Sequence, residues 1–576
     1  MKQHDIAQLF FQMADLLEFR GDNVFRIRAY RRAAQSLESL SSSLEDLATA
    51  GKLSEISGIG VDLANKIKEY LSSGHIQAIE KLKSSIAPGI LEMMTIPGVG
   101  PRTAKALAEQ LKISSVDQLE AAAKAHRLSQ LPGFQEKKEE NILKGIAILK
   151  KGQSRMHLGV ALPLAQGIEA FLKKIPGVSR TSFAGSLRRM KETIGDLDLL
   201  AASASPEKAM AALRKASFCE RLLASGDTKT SLITPEGIQV DVRVVPPKSF
   251  RAALQYCTGS KEHNVRLREC AARKGLKINE YGVFSLKTGK WLSGREEEDI
   301  YKAVGLPWIA PELREDAGEM EAAKANALPQ LVDSKHIRGD FHIHSNWSDG
   351  NDSLEHVAQT ADRLGYAYIA ICDHSQSLKI AHGMTIERLQ KQMKEIRQLN
   401  KRLKTCRLLM GAEVDILKSG KMDYPDSVLA ELDFVVGSIH TGFTQSEALL
   451  TGRVIAAMHN PFVTLIAHPT GRLMGQRESY AINLEAVFRA AVDTGTALEI
   501  NAYPQRLDLC DTAARKAGEM GVMLAISTDT HAVEQFNNIR FGLGVARRAW
   551  LKPGQVLNCF SLKELQTWIA KKRTKK

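Results

Sequence analysis

Six histidines and three carboxylates run through the C-terminal part of the chain in the order His342, His344, Asp349, His374, Glu413, His440, His468, Asp529, His531. Imidazole nitrogens and carboxylate oxygens are the donors that zinc, manganese and iron accept, and this set is enough for two or three ions. Most stand on a short tag after an apolar run: Asp340-Phe-His-Ile-His344, Ala370-Ile-Cys-Asp-His374, Gly437-Ser-Ile-His440, Ile466-Ala-His-Pro469 and Ile526-Ser-Thr-Asp-Thr-His531. That is the pattern of strands ending in functional residues. Side chains alternate along a strand, so His342 and His344 face one side, and Asp529 and His531 repeat the device. His356, His382 and His459 fall outside the tags and read as surface or packing histidines.

A second constellation lies upstream. In Phe183-Ala-Gly-Ser-Leu-Arg-Arg-Met-Lys-Glu-Thr-Ile-Gly-Asp-Leu-Asp-Leu-Leu200, Asp196 and Asp198 alternate with leucines and share one face of a strand. Val240-Asp-Val-Arg-Val-Val245 offers Asp241 on the polar face of another strand. Three carboxylates on adjacent strands suit two magnesium or manganese ions, which prefer oxygen ligands and keep phosphate oxygens in their shell. Gly185 and Ser186 give close backbone approach and a hydroxyl, while Arg188 and Arg189 give donors matched to phosphate. The chemistry these residues fit is phosphoryl or nucleotidyl transfer.

The elements that precede this site are helical. Apolar residues recur at three and four spacing over 4–19, 22–37, 43–50 and 61–72, which predicts amphipathic helices. Ile56-Ser-Gly-Ile-Gly60 is nearly repeated at Ile96-Pro-Gly-Val-Gly100 and, degenerately, at Leu131-Pro-Gly-Phe134. Each precedes a helix with basic residues: Lys66 and Lys68, Arg102 and Lys105, Lys137 and Lys138. Glycine pairs such as Gly58 with Gly60 and Gly98 with Gly100 let helix-start amides approach a phosphate, and the helix dipole favours the anion. This is the helix-hairpin-helix pattern, which holds a nucleic-acid backbone without reading its sequence.

At 576 residues the chain exceeds one hydrophobic core, so several domains are expected. A formal charge of +14 predicts attraction to polyanions without naming one. No apolar run is long enough to span a bilayer, and the start, Met-Lys-Gln-His-Asp, lacks a secretory segment. Seven scattered cysteines, with no Cys-x-x-Cys pair, argue against a thiolate site or a disulfide framework. A cytoplasmic protein without membrane contact is expected. The basic end, 571–576, reads as a frayed solvated tail.

The histidine and carboxylate tags resemble the polymerase and histidinol phosphatase (PHP) domain, a distorted barrel of seven strands and helices. By that resemblance His342, His344, Glu413 and Asp529 hold one metal, Glu413 bridges to a second held by His440 and His468, and Asp349, His374 and His531 hold a third. The upstream set resembles the nucleotidyltransferase superfamily. Tyr256-Cys-Thr-Gly-Ser260, Asn264, Arg268 and Ile278-Asn-Glu-Tyr281 narrow it to the family X DNA polymerases. The resemblance implies that Ser186 and Arg189 bind the triphosphate and that Asp196, Asp198 and Asp241 hold metal, with Asp241 nearest the primer 3′ hydroxyl. Tyr256 and Gly259 pack on the incoming sugar, Asn264 meets the base and Arg268 the template, while Arg243 and Glu280 match a pair that rearranges on thumb closure. Cys257 stands where the family usually has an aromatic residue, so looser sugar selectivity is expected. Lys66 matches the Schiff-base lysine of members with 5′-deoxyribose phosphate lyase activity, yet Asp62 occupies a usually basic position. Phosphate binding by Lys66 is therefore expected in place of lyase chemistry.

The resemblance covers the whole chain and implies a multidomain α+β and α/β protein. The expected parts are a helical lyase-like domain (1–85), a fingers-like helical domain (86–152), a nucleotidyltransferase palm (153–246), a thumb (247–317), a linker (318–336) and a (β/α)7 PHP barrel (337–576). The expected enzyme is a monomer that fills short gaps in primer-template DNA from deoxynucleoside triphosphates. It uses magnesium or manganese, and processes 3′ ends, with abasic-site incision included, at two or three manganese, zinc or iron ions. Two other readings compete: a DNA-end scaffold with a silent barrel, and a phosphatase fused to a DNA-binding arm.

Overall fold

The structure is a computed structural model that describes residues 2–38, 44–56, 58–96, 99–128, 139–140, 142–143, 145–146 and 155–574. The chain divides into two compact units, 1–153 with 475–477, and the remainder from 154 onward. Gly98, the degenerate turn 131–134, and Lys137 and Lys138 lie outside the described residues.

The first unit is helical. Helices Lys2–Arg20, Val24–Glu38, Leu44–Thr49 and Val61–Ser73 fall where the apolar periodicity places them. They surround a core that includes Phe10, Leu17, Tyr30 and Ile67. Val61–Ser73 shows why: Leu63, Ala64 and Ile67 are buried at three and four spacing, and Gly74, at φ 77°, closes the helix in the left-handed conformation. Helices Pro88–Met93, Pro101–Gln110 and Val116–Lys124 enclose a second core around Val99, Leu107 and Leu119.

The second unit begins with a five-stranded sheet built from β1 (Val178–Phe183), β2 (Asp196–Ser203), β3 (Arg221–Ser225), β4 (Lys229–Ile233) and β5 (Gln239–Val245), in the order β1-β2-β5-β4-β3. Strands β2 and β5 are parallel neighbours and place Asp198 directly beside Asp241. Next come helices Phe250–Thr258 and Lys261–Ala272 and a three-stranded antiparallel sheet, β6 (Leu276–Asn279), β7 (Gly282–Ser285) and β8 (Trp291–Ser293). The segment expected as a linker is folded. Its helix Glu319–Lys324 buries Met320 and Ala323 in the core of the preceding domain, because apolar residues at three spacing give it an inward face.

Seven parallel strands follow in chain order: β9 (Gly339–Ile343), β10 (Tyr368–Ile371), β11 (Arg407–Asp415), β12 (Phe434–Ser438), β13 (Leu465–Ile466), β14 (Ala497–Asn501) and β15 (Leu524–Ser527). Their near-continuous burial matches a parallel sheet covered on both faces. A bridge between Ile343 and Thr530 brings the first strand to the end of the last, so the sheet is nearly closed. Of the basic end, 571–574 is not frayed as expected: it closes helix Leu562–Thr574, and the buried Lys572 Nζ donates to the Met458 carbonyl at 3.1 Å, while 575–576 lies outside the described residues. No described helix is long and apolar enough to cross a membrane.

Candidate functional site

The first candidate site is a cleft of about 840 Å³ beside β2, lined by Gly185, Ser186, Arg189, Asp196, Asp198, Tyr256, Gly259, Asn264 and Arg268. Nine of the residues picked from the sequence thus line one opening, whereas Asp241, Arg243 and Glu280 are not in its lining. Gly185 has φ 57°, and a Cβ there would collide with the Asp198 carboxylate, so only glycine lets the backbone reach the acid. Gly259 has φ 68°, and a Cβ would stand 3.1 Å from Arg189 Nη1. Burial, and then the charges of Asp196 and Asp241, push the Asp198 carboxyl up to about 7. Asp241 is held below the usual range despite its burial, because it accepts from Lys229 Nζ at 2.7 Å and from Gln239 Nε2 at 3.1 Å. Crowded carboxylates of this kind, with one reluctant to ionise, are a donor set that a divalent cation relieves.

Some expected contact groups are engaged within the protein. Asn264 donates to the Tyr256 carbonyl at 2.7 Å and accepts from Gln255 at 3.0 Å, and Arg268 Nε donates to the Asn264 carbonyl at 3.2 Å. Arg243 and Glu280 lie 3.9 Å apart. Arg188 does not face the cleft as a phosphate donor. It makes a bidentate pair with Glu297 at 2.9 and 2.6 Å, and Arg314 adds a third bond at 3.1 Å.

The second candidate site is at the C-terminal ends of the barrel strands and gathers the six histidines and three carboxylates singled out in the sequence. Glu413, fully buried on β11, is its centre: Oε1 lies 3.3 Å from His440 Nε2 and 3.1 Å from His468 Nε2, while Oε2 lies 2.7 Å from His374 Nδ1 and 3.5 Å from His342 Nε2. Donor atoms close enough to share an ion fall into three groups: His342, His344 and Asp529; His344, Asp349, His374 and His531; and His374, Glu413 and His440. Here His344 and His374 each serve two groups, where the expected assignment gave each to one ion. Asp529 and His531 are not on a strand, contrary to the alternation argument. They lie just beyond β15 with Asp529 at φ 52°, and face His342 and His344 because His344 N donates to the Thr530 carbonyl and Thr530 N to the His342 carbonyl.

The donors of this site suit metal. His342 Nε2, both ring nitrogens of His344 and His374 Nδ1 are buried with carboxylate oxygens 2.7–3.8 Å away but no well-directed hydrogen bond, an arrangement that coordination would resolve. Burial opposes charge on His440, yet Glu413 and Asp415 outweigh it and push the imidazole up to about 9. Burial together with the neighbouring His531 and His374 pushes His344 down to about 3. His356, His382 and His459 are exposed and belong to none of the three donor groups.

Sequence reasoning missed the carboxylates that orient these imidazoles. His440 Nδ1 lies 2.6 Å from Asp415 Oδ1, and His342 Nδ1 lies 2.8 Å from Glu499 Oε1, whose second oxygen accepts from His468 N at 2.6 Å. Such carboxylate–histidine pairs fix the ring tautomer and raise ligand basicity. A signal was present: Asp415 stands two residues beyond Glu413 on one strand, the offset already used for Asp196 and Asp198.

In the first unit Gly58 has φ 80° and needs glycine for its backbone. Gly60 and Gly100 do not. Each caps a helix in extended conformation at φ −82° and −73°, with no side-chain cap and open space where a Cβ would point. Arg102 Nε donates to Glu18 at 2.7 Å, Lys105 Nζ to the Arg20 carbonyl at 3.4 Å, and Lys66 Nζ to Asp62 at 2.6 Å.

Four stretches match models of known families: helix-hairpin-helix domain (residues 1–76), SAM-like helix-hairpin-helix tandem (90–147), DNA polymerase beta thumb (253–315) and PHP domain (340–502). The DNA polymerase/3′-5′ exonuclease PolX of Bacillus subtilis (strain 168) is 38% identical over 571 residues, covering 99% of this chain and 99% of that protein. A probable phosphatase of Thermoanaerobacter sp. (strain X514) is 27% identical over 248 residues, 41% of this chain and 96% of that protein. A probable phosphatase of Syntrophotalea carbinolica is 28% identical over 230 residues, 38% of this chain and 90% of that protein. An end-to-end match, together with the thumb and PHP models, settles the family: this chain belongs to the bacterial family X DNA polymerases that carry a PHP domain.

Proposed function

We propose that the chain fills short gaps in DNA at the palm and removes nucleotides or blocked 3′ ends, abasic sites included, at the barrel. The observation that carries this reading is that three carboxylates on adjacent strands of one sheet and three histidine–carboxylate groups at the strand ends of another are separate donor sets, in a chain whose full-length relative is named for both activities. The domain limits set out from the sequence are kept, with 318–336 folded against the thumb. A monomer in the cytoplasm, where seven free thiols would stay reduced, completes the reading.

At the palm, magnesium or manganese on Asp196, Asp198 and Asp241 would neutralise phosphate charge and acidify the attacking hydroxyl. Gly185, Ser186 and Arg189 hold the triphosphate. Tyr256 and Gly259 seat the sugar, Asn264 and Arg268 meet base and template once released from their internal partners, and Asp241 lies nearest the primer 3′ hydroxyl. The nucleotide site admits Cys257 where an aromatic ring is usual, which relaxes sugar selection.

At the barrel, two or three manganese, zinc or iron ions on His342, His344, Asp349, His374, Glu413, His440, His468, Asp529 and His531 would acidify water and stabilise a leaving oxygen. Asp415 and Glu499 hold the Nδ1 protons of His440 and His342, leaving each Nε2 free to coordinate. At the N-terminus the amides after Gly60 and Gly100, with Gly58, Gly98, Lys66, Arg102 and Lys105, engage backbone phosphates. Open space at Gly60 and Gly100 supports this, because the fold itself has no need of glycine there. Lys66, paired with Asp62, binds a 5′ phosphate and does not form a Schiff base.

A gapped duplex with a 5′-labelled primer, incubated with manganese with and without deoxynucleotides, tests the reading. The primer should lengthen with nucleotides and shorten without them. Neither change would refute both activities.

A further inference from the structure

The helix Ile539–Arg548, which follows the metal-type loop of the barrel, ends beside Arg189 and Glu315, two residues that line the nucleotide cleft. Its Arg548 Nη1 donates to Glu315 Oε1 at 2.8 Å and to the Arg189 carbonyl at 2.9 Å, while Nε donates to Asp511 at 2.7 Å. The same Glu315 oxygen accepts from Arg189 Nε at 3.0 Å, and Arg189 Nη1 donates to the Thr258 carbonyl at 2.6 Å. Arg189 is thus fixed at three points, one of them supplied by the barrel domain. Met190, at φ 54°, packs on Gly544 of the same helix, so a side chain there would strike it.

Glu315 lines the cleft that would receive a triphosphate. Left alone, its carboxylate would repel that anion and bind the Arg189 guanidinium in competition with it. Shared between two arginines, it is neutralised and held back, with its carboxyl below the usual range despite burial because Arg189 and Arg548 lie beside it. We propose that Arg548 of the PHP domain is a positioning residue of the polymerase site, which neutralises Glu315 and clamps Arg189 toward the triphosphate. This rests on the reading of Arg189 as the triphosphate-binding arginine.

The test is steady-state extension of a gapped primer by the full-length protein, with 3′ resection followed in parallel. Arg548→Met should raise KM for the deoxynucleotide about tenfold or more, the share of one charge-assisted bond, with kcat little changed and resection intact. Adding Glu315→Gln to Arg548→Met should bring KM back to within about threefold of wild type, because no unpaired carboxylate remains. Arg548→Lys keeps the charge but cannot span its partners, and should raise KM less than Arg548→Met does; it serves equally if the methionine variant does not fold. An unchanged KM in Arg548→Met or in Arg548→Lys, or equal loss of extension and resection, would overturn the proposal. Arg189→Lys separates the two claims: a raised KM there with normal Arg548 variants sinks the coupling alone, whereas an unchanged KM in Arg189→Lys sinks the nucleotide reading as well.

Discussion

Replacing Asp415 by alanine should weaken metal binding at the barrel without touching extension. Asp415 Oδ1 accepts the Nδ1 proton of His440 at 2.6 Å, its other oxygen accepts from Ser377, and its backbone N–H donates to Ser375 Oγ at 3.0 Å. The carboxylate therefore arrives already oriented. A charge-assisted hydrogen bond contributes about 1.5–3 kcal/mol, and about 1.4 kcal/mol is a factor of ten, so Asp415→Ala should lower affinity for the ion at His440 by roughly 10–100-fold. Asp415→Asn keeps an acceptor and the ring tautomer but loses the charge. A neutral bond is about half as strong as a charge-assisted one, so this variant should lose only about 3–10-fold. Titrating manganese into the full-length variants, while following bound metal and shortening of a 5′-labelled primer, measures both. The resection midpoint should move to higher manganese, with much of the rate recovered at saturation, since Glu413 and His468 remain. A wild-type midpoint for Asp415→Ala, or a parallel fall in extension, would refute the argument.

Asp196→Ala or Asp198→Ala should abolish extension and leave resection intact, and Glu413→Ala or His440→Ala should do the reverse with loss of bound metal; gel assays of one preparation decide, and equal loss of both activities in a folded variant would contradict two separate sites. Gly60→Ala together with Gly100→Ala should weaken gapped-DNA binding by about tenfold at moderate salt while costing at most about 1 kcal/mol of stability, because nothing in the fold occupies the Cβ position. Salt titration by fluorescence anisotropy checks this, and unchanged affinity would remove the glycine turns from the interface. His263 is buried with Nδ1 2.7 Å from Glu319 and Nε2 3.0 Å from the Tyr301 hydroxyl, and burial keeps it below the usual imidazole range against the pull of Glu319. The unfolded chain then takes up this proton first, so stability is full above about pH 6.5 and falls as pH drops below it. Urea midpoints should decline less over that range in His263→Gln, and equal declines would refute the assignment. Borohydride reduction on an incised abasic substrate should trap no adduct at Lys66; one that vanishes in Lys66→Ala would show lyase chemistry.

The candidate donors and the fold class were legible in the chain itself, because they depend on local rules. Asp196 and Asp198 share a face through the two-residue period of a strand, and the N-terminal helices follow from apolar spacing over the 3.6-residue turn. The family followed from motifs whose residue types are dictated by their chemistry. Other features depend on which distant segments become neighbours. Asp529 and His531 meet His342 and His344 through a backbone bridge between strand ends, not through the alternation that spacing implied. Asp415 shares a strand face with Glu413 by its two-residue offset, but which imidazole it orients, like the role of Glu499, is set only when the barrel closes. Arg188 reads in the chain as a second phosphate donor beside Arg189, but in the fold it turns away to Glu297, 109 residues on. Glu315 and Arg548 lie 233 residues apart and become one ion-pair network only when the barrel packs on the palm. Periodicity is written residue by residue, whereas partners across that distance are chosen by how whole sheets and helices pack, and only the tertiary structure decided them.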